Sequence, residues 1–379
     1  MTTITRQTPL TRFDGIQVLR FAASAMVLIA HATIYTAERL NASITVWRVG
    51  GAGVDIFFVI SGFVIVLASH GRAPDAWVGW RSFLAKRVLR IYPMYWLATL
   101  LNLTILLAMP AAVLHSRFEM NELIQWFLLI PTLNGDGRVE PLVGVGWTLY
   151  FETFFYALFA LALALRRSPY LLLPPILIVC ALASAWKRPD WPPTAVYLDP
   201  RVLEFLLGMA VAATKDRLVQ HPMAGAVAAV VGFVLMFAFG AIGGLPEFGI
   251  RATASLLIVA GTVAFEPRVS GRVPSILLFL GAASYAIYLI HPLTVPIVPM
   301  LMSKLHLQSA GLSVIGCIAV GVIAPSVLHR IIEVPILARG TAWLRAKGGD
   351  VQLQRGVPPE VASDNSQKHH LIRRDRRTS

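Results

Sequence analysis

Residues 15–34 read GIQVLRFAASAMVLIAHATI, an apolar run of about 20 residues, which is long enough to cross a bilayer once as a helix. Two ionisable side chains interrupt the run, Arg20 near its start and His31 near its end. At a rise of about 1.5 Å per residue, they lie roughly 16 Å apart along the helix axis. Ionisable side chains inside a membrane span are costly and usually face a polar pathway or site. The run therefore predicts a membrane helix with a cation near one surface and a titratable imidazole near the other.

The composition of the whole chain is typical of a membrane protein. Of its 379 residues, 56% are hydrophobic and only 14% are charged, whereas a soluble domain carries about 25% charged residues. The two cysteines, Cys180 and Cys317, lie inside apolar runs, which argues against a disulfide framework and a cysteine metal site. We predict an all-α integral membrane protein with about ten transmembrane helices. The predicted spans are 16–36, 52–70, 88–109, 146–166, 170–186, 201–214, 223–241, 249–265, 276–302 and 310–328.

The lysines and arginines predict how these spans are oriented. If the N-terminus is cytoplasmic, 24 of the 33 lysines and arginines fall on the cytoplasmic side. This bias predicts both termini in the cytoplasm and an even number of spans. It also accounts for the net charge of +13 without a nucleic-acid partner. We expect a cytoplasmic N-terminus over 1–15, a membrane domain over 16–340 and a basic, disordered cytoplasmic tail over 341–379, whose end can contact anionic membrane lipid.

Several candidate site residues are expected near the outer surface. His31 lies about five residues from the end of the first span, and Glu152 about six residues into the fourth, so both lie roughly 7–9 Å below that surface. A carboxylate beside a histidine fixes its tautomer and stabilises the imidazolium, so the pair predicts a general base oriented by Glu152. In the ninth span, SYAIYLIHPLTV brings Tyr288 and His291 toward the same outer half, where we expect them to bind substrate.

Basic residues gather near the opposite surface. In RSFLAKRVLRIYPMYW, residues 81–96, Arg87 and Arg90 are three positions apart and therefore share one helical face. With Arg20 they could surround an anion, because the planar guanidinium group binds phosphate through two parallel hydrogen bonds. A basic cluster beside a span is also a common topology signal, so spacing alone leaves both interpretations open.

Four segments together resemble the membrane-bound acyltransferase-3 family, which includes bacterial exopolysaccharide and lipopolysaccharide O-acetyltransferases. They are LRFAASAMVLIAH, with its Arg20-x10-His31 spacing, GVDIFFVISGFVI, RVLRIYPMYW and WTLYFETFFY. Two later segments, SYAIYLIHPL and HRIIEVPI, fit the family as well. The segments occur in the family's order, and the resemblance covers about residues 10–340.

The resemblance implies a ten-helix membrane fold and transfer of an acyl group, usually acetyl from acetyl-CoA, onto a carbohydrate hydroxyl. By the same resemblance, Arg20 and His31 match the family's essential arginine and histidine. Glu152 matches the acidic residue of its tryptophan-threonine-leucine motif, and Arg87 and Arg90 match basic residues that contact the donor. We expect the stand-alone form, without the esterase-like domain that some relatives carry.

The combined hypothesis is a multi-pass O-acetyltransferase of the bacterial inner membrane. Acetyl-CoA enters from the cytoplasm and meets the basic residues, while His31 deprotonates a hydroxyl of a cell-surface or exopolysaccharide sugar. The implied partners are a carbohydrate acceptor, membrane lipid and polysaccharide-synthesis machinery, with no metal and no nucleic acid. The sequence assigns no role to Asp55.

Other interpretations of the same residues stay open at this point. Arg20 could extend to the lipid headgroups, His31 could be a neutral packed histidine, and Glu152 could pair with an arginine. Intramembrane Arg, His and Glu also suit a transporter or flippase for a glycan or lipid-linked intermediate. A scaffold subunit of a polysaccharide-synthesis complex is a third interpretation.

Overall fold

The structure, a computed structural model, describes residues 13–70, 78–110 and 119–353 of the chain. Within these ranges the backbone forms helices and no β-strand, apart from one isolated bridge between Leu133 and Val139. The prediction of an all-α protein is confirmed. Residues 1–12 of the predicted N-terminal segment (1–15) and residues 354–379 of the predicted tail (341–379) lie outside the described residues, whereas residues 341–353, expected to be disordered, belong to a helix.

The helices of the described residues are α1 (Asp14–Arg39), α2 (Gly53–Ser69), α3 (Trp80–Ala108), α4 (Leu123–Leu128), α5 (Trp147–Ala164), α6 (Pro169–Ala183), α7 (Val202–Leu218), α8 (Pro222–Phe239), α9 (Gly244–Val269), α10 (Ser275–Thr294), α11 (Ile297–Lys304), α12 (Ala310–Leu328) and α13 (Val334–Leu353). A π-helical turn, His329–Glu333, joins α12 to α13. The chain divides into two compact units, Met1–Val334 and Pro335–Ser379, and the candidate site lies within the first.

Nine helical stretches in the described part of the chain are long and apolar enough to cross a membrane. The span predicted at 201–214 forms α7, which has 17 residues, near the lower limit for a crossing. The predicted ninth span is divided into α10 and α11 next to Pro296, because proline cannot continue the helical hydrogen bonds. The cytoplasmic placement of both termini stays a prediction.

α1 is an interior helix of the first unit. It packs against α2, α9, α10 and α12, and Ile16, Ala23 and Leu28 are among its buried side chains. Peripheral helices instead expose large apolar residues, such as Leu171 on α6 and Val230 on α8, as lipid contact requires. Arg20 and His31 therefore lie among other helices rather than in lipid.

A carboxylate from α9 fixes the start of α1. Glu266 accepts hydrogen bonds from the backbone N–H groups of Asp14 at 2.6 Å and Gly15 at 2.9 Å. In return, the Asp14 carboxylate accepts a bond from the backbone N–H of Gly271 at 2.9 Å. The first N–H groups of a helix have no intrahelical acceptor, and negative charge there is favoured by the helix dipole. This exchange sets the height of α1, and hence of Arg20 and His31, against α9.

Glycines allow α2 and α7 to touch backbone to backbone. A Cβ atom built on Gly62 would lie 2.1 Å from the carbonyl oxygen of Phe205, and one built on Gly208 would lie 2.0 Å from that of Val59. Small residues permit this close approach inside membranes, where van der Waals packing holds helices together. This close approach of α2 and α7 also brings the ring centroid of Phe58 to 4.9 Å from that of Phe205.

We predict that Gly208→Ala lowers the midpoint of thermal unfolding in detergent micelles by an amount equivalent to about 1–3 kcal/mol or more, because the new methyl group meets fixed backbone. The matched control is Gly249→Ala on α9, where a Cβ meets nothing within 4 Å and alanine should stabilise the helix by up to about 1 kcal/mol. Equal midpoints for the two variants would contradict the proposed α2–α7 contact.

Candidate active site

A partly open cleft of about 130 Å³ lies between α1, α2, α3, α5 and α10. Its walls carry apolar side chains from α2, including Phe57 and Ile60. The polar lining residues are Arg20, Ser61, Arg87, Arg90, Thr148, Glu152, Tyr156, Tyr285 and Tyr288. Five predicted site residues (Arg20, Arg87, Arg90, Glu152 and Tyr288) are thus brought together from four helices, whereas His31 and His291 lie beyond this lining.

Arg90 is held from two sides. Its guanidinium group donates to Glu333, and it lies over the Tyr285 ring at 5.0 Å from the centroid. The other oxygen of Glu333 lies 2.7 Å from Nδ1 of His329, and both Glu333 and His329 are buried. All three polar groups converge at the π-helical turn, a distortion that is frequent at functional sites. Arg90 is therefore preorganised at the edge of the cleft.

Arg87 and Arg20 keep their charges available in the same cleft. Arg87 lies over the rings of Phe83 and Tyr156 at 5.8 and 5.9 Å, and its buried Nε has no hydrogen-bond partner. Arg20 is close enough to Glu152 and Glu333 to interact with their charges. Among the described residues, neither arginine is hydrogen-bonded to a carboxylate. Two guanidinium groups thus have free donors for an anion.

Glu152 lies with these arginines and not with His31. Its Oε1 accepts bonds from the hydroxyl groups of Tyr156 at 2.5 Å and Ser61 at 3.1 Å. Within the described residues it makes no hydrogen bond to His31. Direct orientation of His31 by Glu152, as expected from equal depths, is therefore not seen. The alternative that Glu152 pairs with an arginine is not seen as an ion pair within the described residues either, although Glu152 is close enough to Arg20 for their charges to interact.

Glu152 and the two histidines do not lie at equal depth, because the helices that carry them are offset along their axes. Thr148, one turn before Glu152 on α5, lies 3.1 Å from the hydroxyl oxygen of Tyr288. On α10, which runs antiparallel to α5 here, His291 follows Tyr288 by almost one further turn. Glu152 and His291 are thus separated by roughly two turns, or about 10 Å along the bundle.

His31 and His291 form a pair beyond Tyr288, on the side away from Glu152. Their ring centroids are 4.8 Å apart at an angle of 64°, and the rings of Tyr288 and His291 are 6.2 Å apart. Tyr288 itself hydrogen-bonds to the Val145 carbonyl at 3.0 Å. Polar side chains thus continue from the arginines through Thr148 and Tyr288, which line the cleft, to the two histidines, which lie beyond its lining.

Backbone carbonyls set the tautomers of both histidines. Nδ1 of His31 lies 2.9 Å from the Val27 carbonyl oxygen, and Nδ1 of His291 lies 3.0 Å from that of Ile287. A carbonyl can only accept, so each neutral ring carries its proton on Nδ1 and a lone pair on Nε2. His31 is partly exposed, whereas Nε2 of His291 is buried and has no partner. The pair thus places Nε2 of His31, whose lone pair can take a proton, beside Nε2 of His291, which accepts no hydrogen bond.

Sequence reasoning missed Glu333, His329, Tyr156 and Ser61 as members of the site. HRIIEVPI carries both His329 and Glu333 four positions apart, a spacing that places them on one helical face. That spacing was the available signal for the two residues at the π-helical turn. Ser61 and Tyr156 are hydroxyl donors to a carboxylate, and no motif predicts such a pairing.

No group of three or more His, Cys, Asp or Glu side chains suited to a metal ion occurs in the ranges that the structure describes.

Comparisons with known proteins identify relatives over most of the chain. Residues 13–330 match the acyltransferase-3 family model, described as an acyltransferase domain. The exopolysaccharide production protein ExoZ of Rhizobium meliloti is 31% identical over 300 residues, which is 78% of this chain and 92% of ExoZ. Acyltransferase MdmB of Streptomyces mycarofaciens is 26% identical over 368 residues, 86% of this chain and 92% of MdmB.

A third relative is similar over a shorter stretch. YrhL of Bacillus subtilis, assigned as a peptidoglycan O-acetyltransferase, is 28% identical over 190 residues, 44% of this chain and 29% of YrhL. No solved structure matches the chain. The family match covers all five helices that line the cleft, and the resemblance drawn from the sequence motifs is confirmed. The chain belongs to the acyltransferase-3 family and is an acyltransferase.

Proposed function

We propose that this protein transfers an acetyl group from acetyl-CoA to a hydroxyl of a cell-surface or exopolysaccharide sugar, as a multi-pass protein of the bacterial inner membrane. One observation carries the proposal: a cleft lined by the free guanidinium groups of Arg20 and Arg87 also has Tyr288 in its wall, and the Tyr288 ring lies 6.2 Å from His291, which pairs with His31. Relatives named for exopolysaccharide production and for peptidoglycan O-acetylation support a carbohydrate acceptor. Polysaccharide-synthesis machinery is the partner that such an acceptor implies.

The donor's phosphates fit the arginine end. Acetyl-CoA carries several negative charges, and Arg87 offers a guanidinium group with an unpaired buried Nε. Arg20 adds a second cation, while Arg90, held by Glu333, forms a fixed edge. In this role Glu152 limits the excess positive charge of the cleft and keeps Tyr156 and Ser61 in place. The apolar walls suit a thin, flexible arm that reaches toward Tyr288.

His31 acts as the general base in this proposal. The Val27 carbonyl orients it with Nε2 free of a proton, a task first expected of Glu152. Nε2 takes the proton of the sugar hydroxyl, whose oxygen forms a bond to the acetyl carbon as the carbon–sulfur bond breaks. The imidazolium then returns the proton to the departing thiolate, so proton and charge balance. Nε2 of His291, which accepts no hydrogen bond from the protein, and the hydroxyl group of Tyr288 position the substrate.

We predict that His31→Ala lowers transfer of radiolabelled acetyl from acetyl-CoA into alkali-labile glycan by about 100-fold or more, since positioned proton transfer contributes about 10²–10⁴ to rate. The assay uses membranes containing the wild-type chain, His31→Ala or the control His221→Ala, an exposed histidine at the start of α8. Retained activity in His31→Ala would exclude His31 as the general base. Absence of transfer by the wild type, with acceptor present, would favour the transporter interpretation.

A second prediction separates donor binding from chemistry. Arg87→Gln should raise the KM for acetyl-CoA by about 10- to 100-fold with a smaller change in kcat, because it removes a charge-assisted hydrogen bond worth about 1.5–3 kcal/mol. The matched control is Arg81→Gln, which removes the same charge from an exposed position on α3 outside the cleft. Equal KM values for the two variants would place the donor elsewhere.

A further inference from the structure

Two carboxyl groups meet inside the bundle, away from the cleft. Asp55 lies in the first turn of α2 and Glu204 in the first turn of α7. Asp55 is 2% exposed and Glu204 is fully buried. Their side chains are within hydrogen-bonding reach of each other. Neither residue lines the cleft, and neither has a role in the proposed transfer.

The neighbouring arginines are already bonded to other acids. Arg251 on α9 donates to Glu247 at 2.7 Å, and its other terminal nitrogen is 3.8 Å from the Asp55 carboxylate. Arg201 lies 3.2 Å from Asp199 and stacks over a tryptophan ring. Four carboxyl groups therefore face two guanidinium groups at the ends where α2, α7 and α9 begin.

Glu204 is the group left without a donor. Both of its carboxylate oxygens are buried, and neither has a hydrogen-bond partner among the described residues. A carboxylate facing only another carboxylate cannot form a hydrogen bond, because neither can donate. Burying an uncompensated charge is far more costly than binding a proton. The geometry requires one more positive charge between the two side chains.

We propose that Asp55 and Glu204 bind one proton between them, forming a carboxylic acid–carboxylate hydrogen bond that joins α2 to α7. The shared proton gives Glu204 a partner and removes the repulsion between two buried anions. The two helices cannot separate to relieve that repulsion, because Gly62 and Gly208 bring their backbones into contact nearby. Since α2 supplies one wall of the cleft, the proton also keeps that wall in place.

The proton site gives stability a definite pH dependence. While the folded protein holds a proton that the unfolded chain has released, the folded state binds one more proton. Stability then falls as pH rises, and the equilibrium constant for unfolding increases up to about tenfold per pH unit. Glu204→Gln should abolish this slope, because the amide donates permanently to Asp55 and does not titrate.

The test measures thermal unfolding in detergent micelles from pH 5 to pH 9 at constant ionic strength. The variants are Glu204→Gln and the control Asp216→Asn, which removes an acid from the same helix at a position 87% exposed. We expect the midpoint of the wild type and of Asp216→Asn to fall with pH, and that of Glu204→Gln to change much less. Equal pH dependence in all three would overturn the proposal.

Infrared spectroscopy provides a measurement that does not depend on thermal unfolding. The wild type should show the carbonyl stretch of a protonated carboxylic acid at neutral pH, which disappears at high pH and is absent from Asp55→Asn or Glu204→Gln. A band that persists in both variants would overturn the assignment. Stabilisation of the wild type, but not of Glu204→Gln, by sodium or potassium at fixed pH would show that the pair holds a metal cation instead of a proton.

Discussion

The structure depends on how the two ionisable side chains inside α1 meet polar groups from neighbouring helices. α1 brings Arg20 and His31 into the interior, about 16 Å apart along its axis. Each lies against a different polar group: the carboxylates near the cleft for Arg20, and the Val27 carbonyl and His291 for His31. The hydrogen bonds that Glu266 accepts from the first N–H groups of α1 fix the height of Arg20 and His31 in the bundle.

This constraint divides the site into two regions with different chemistry. At one end, guanidinium groups and tyrosine hydroxyls suit a charged, phosphate-bearing donor. At the other, two histidines with free Nε2 lone pairs suit proton transfer at a hydroxyl. Electrostatic interactions are stronger among fixed protein groups than in bulk water, so a few fixed groups suffice. The separation also allows the charged part of a donor to stay in place while its thioester reacts elsewhere.

The sequence predicted the helices, the family and five of the residues that line the cleft. It succeeded where periodicity and local motifs carry the information, as with Arg87 and Arg90 on one face of α3. It did not give the partners of Glu152, because depth was counted from span ends and the axial offset between α5 and α10 cannot be read from one sequence. Glu333 was missed because its value lies in a contact with Arg90, 243 positions away. Tertiary partners of this kind have no local signal.

The most direct test of the account is a cryo-electron microscopy structure of the protein in a lipid nanodisc with coenzyme A bound. We predict that the phosphates lie against Arg20 and Arg87 and that the thiol points past Tyr288 toward Nε2 of His31. Coenzyme A bound outside the cleft, or bound with its thiol at the arginine end, would contradict the assignment of donor binding to one region and proton transfer to the other.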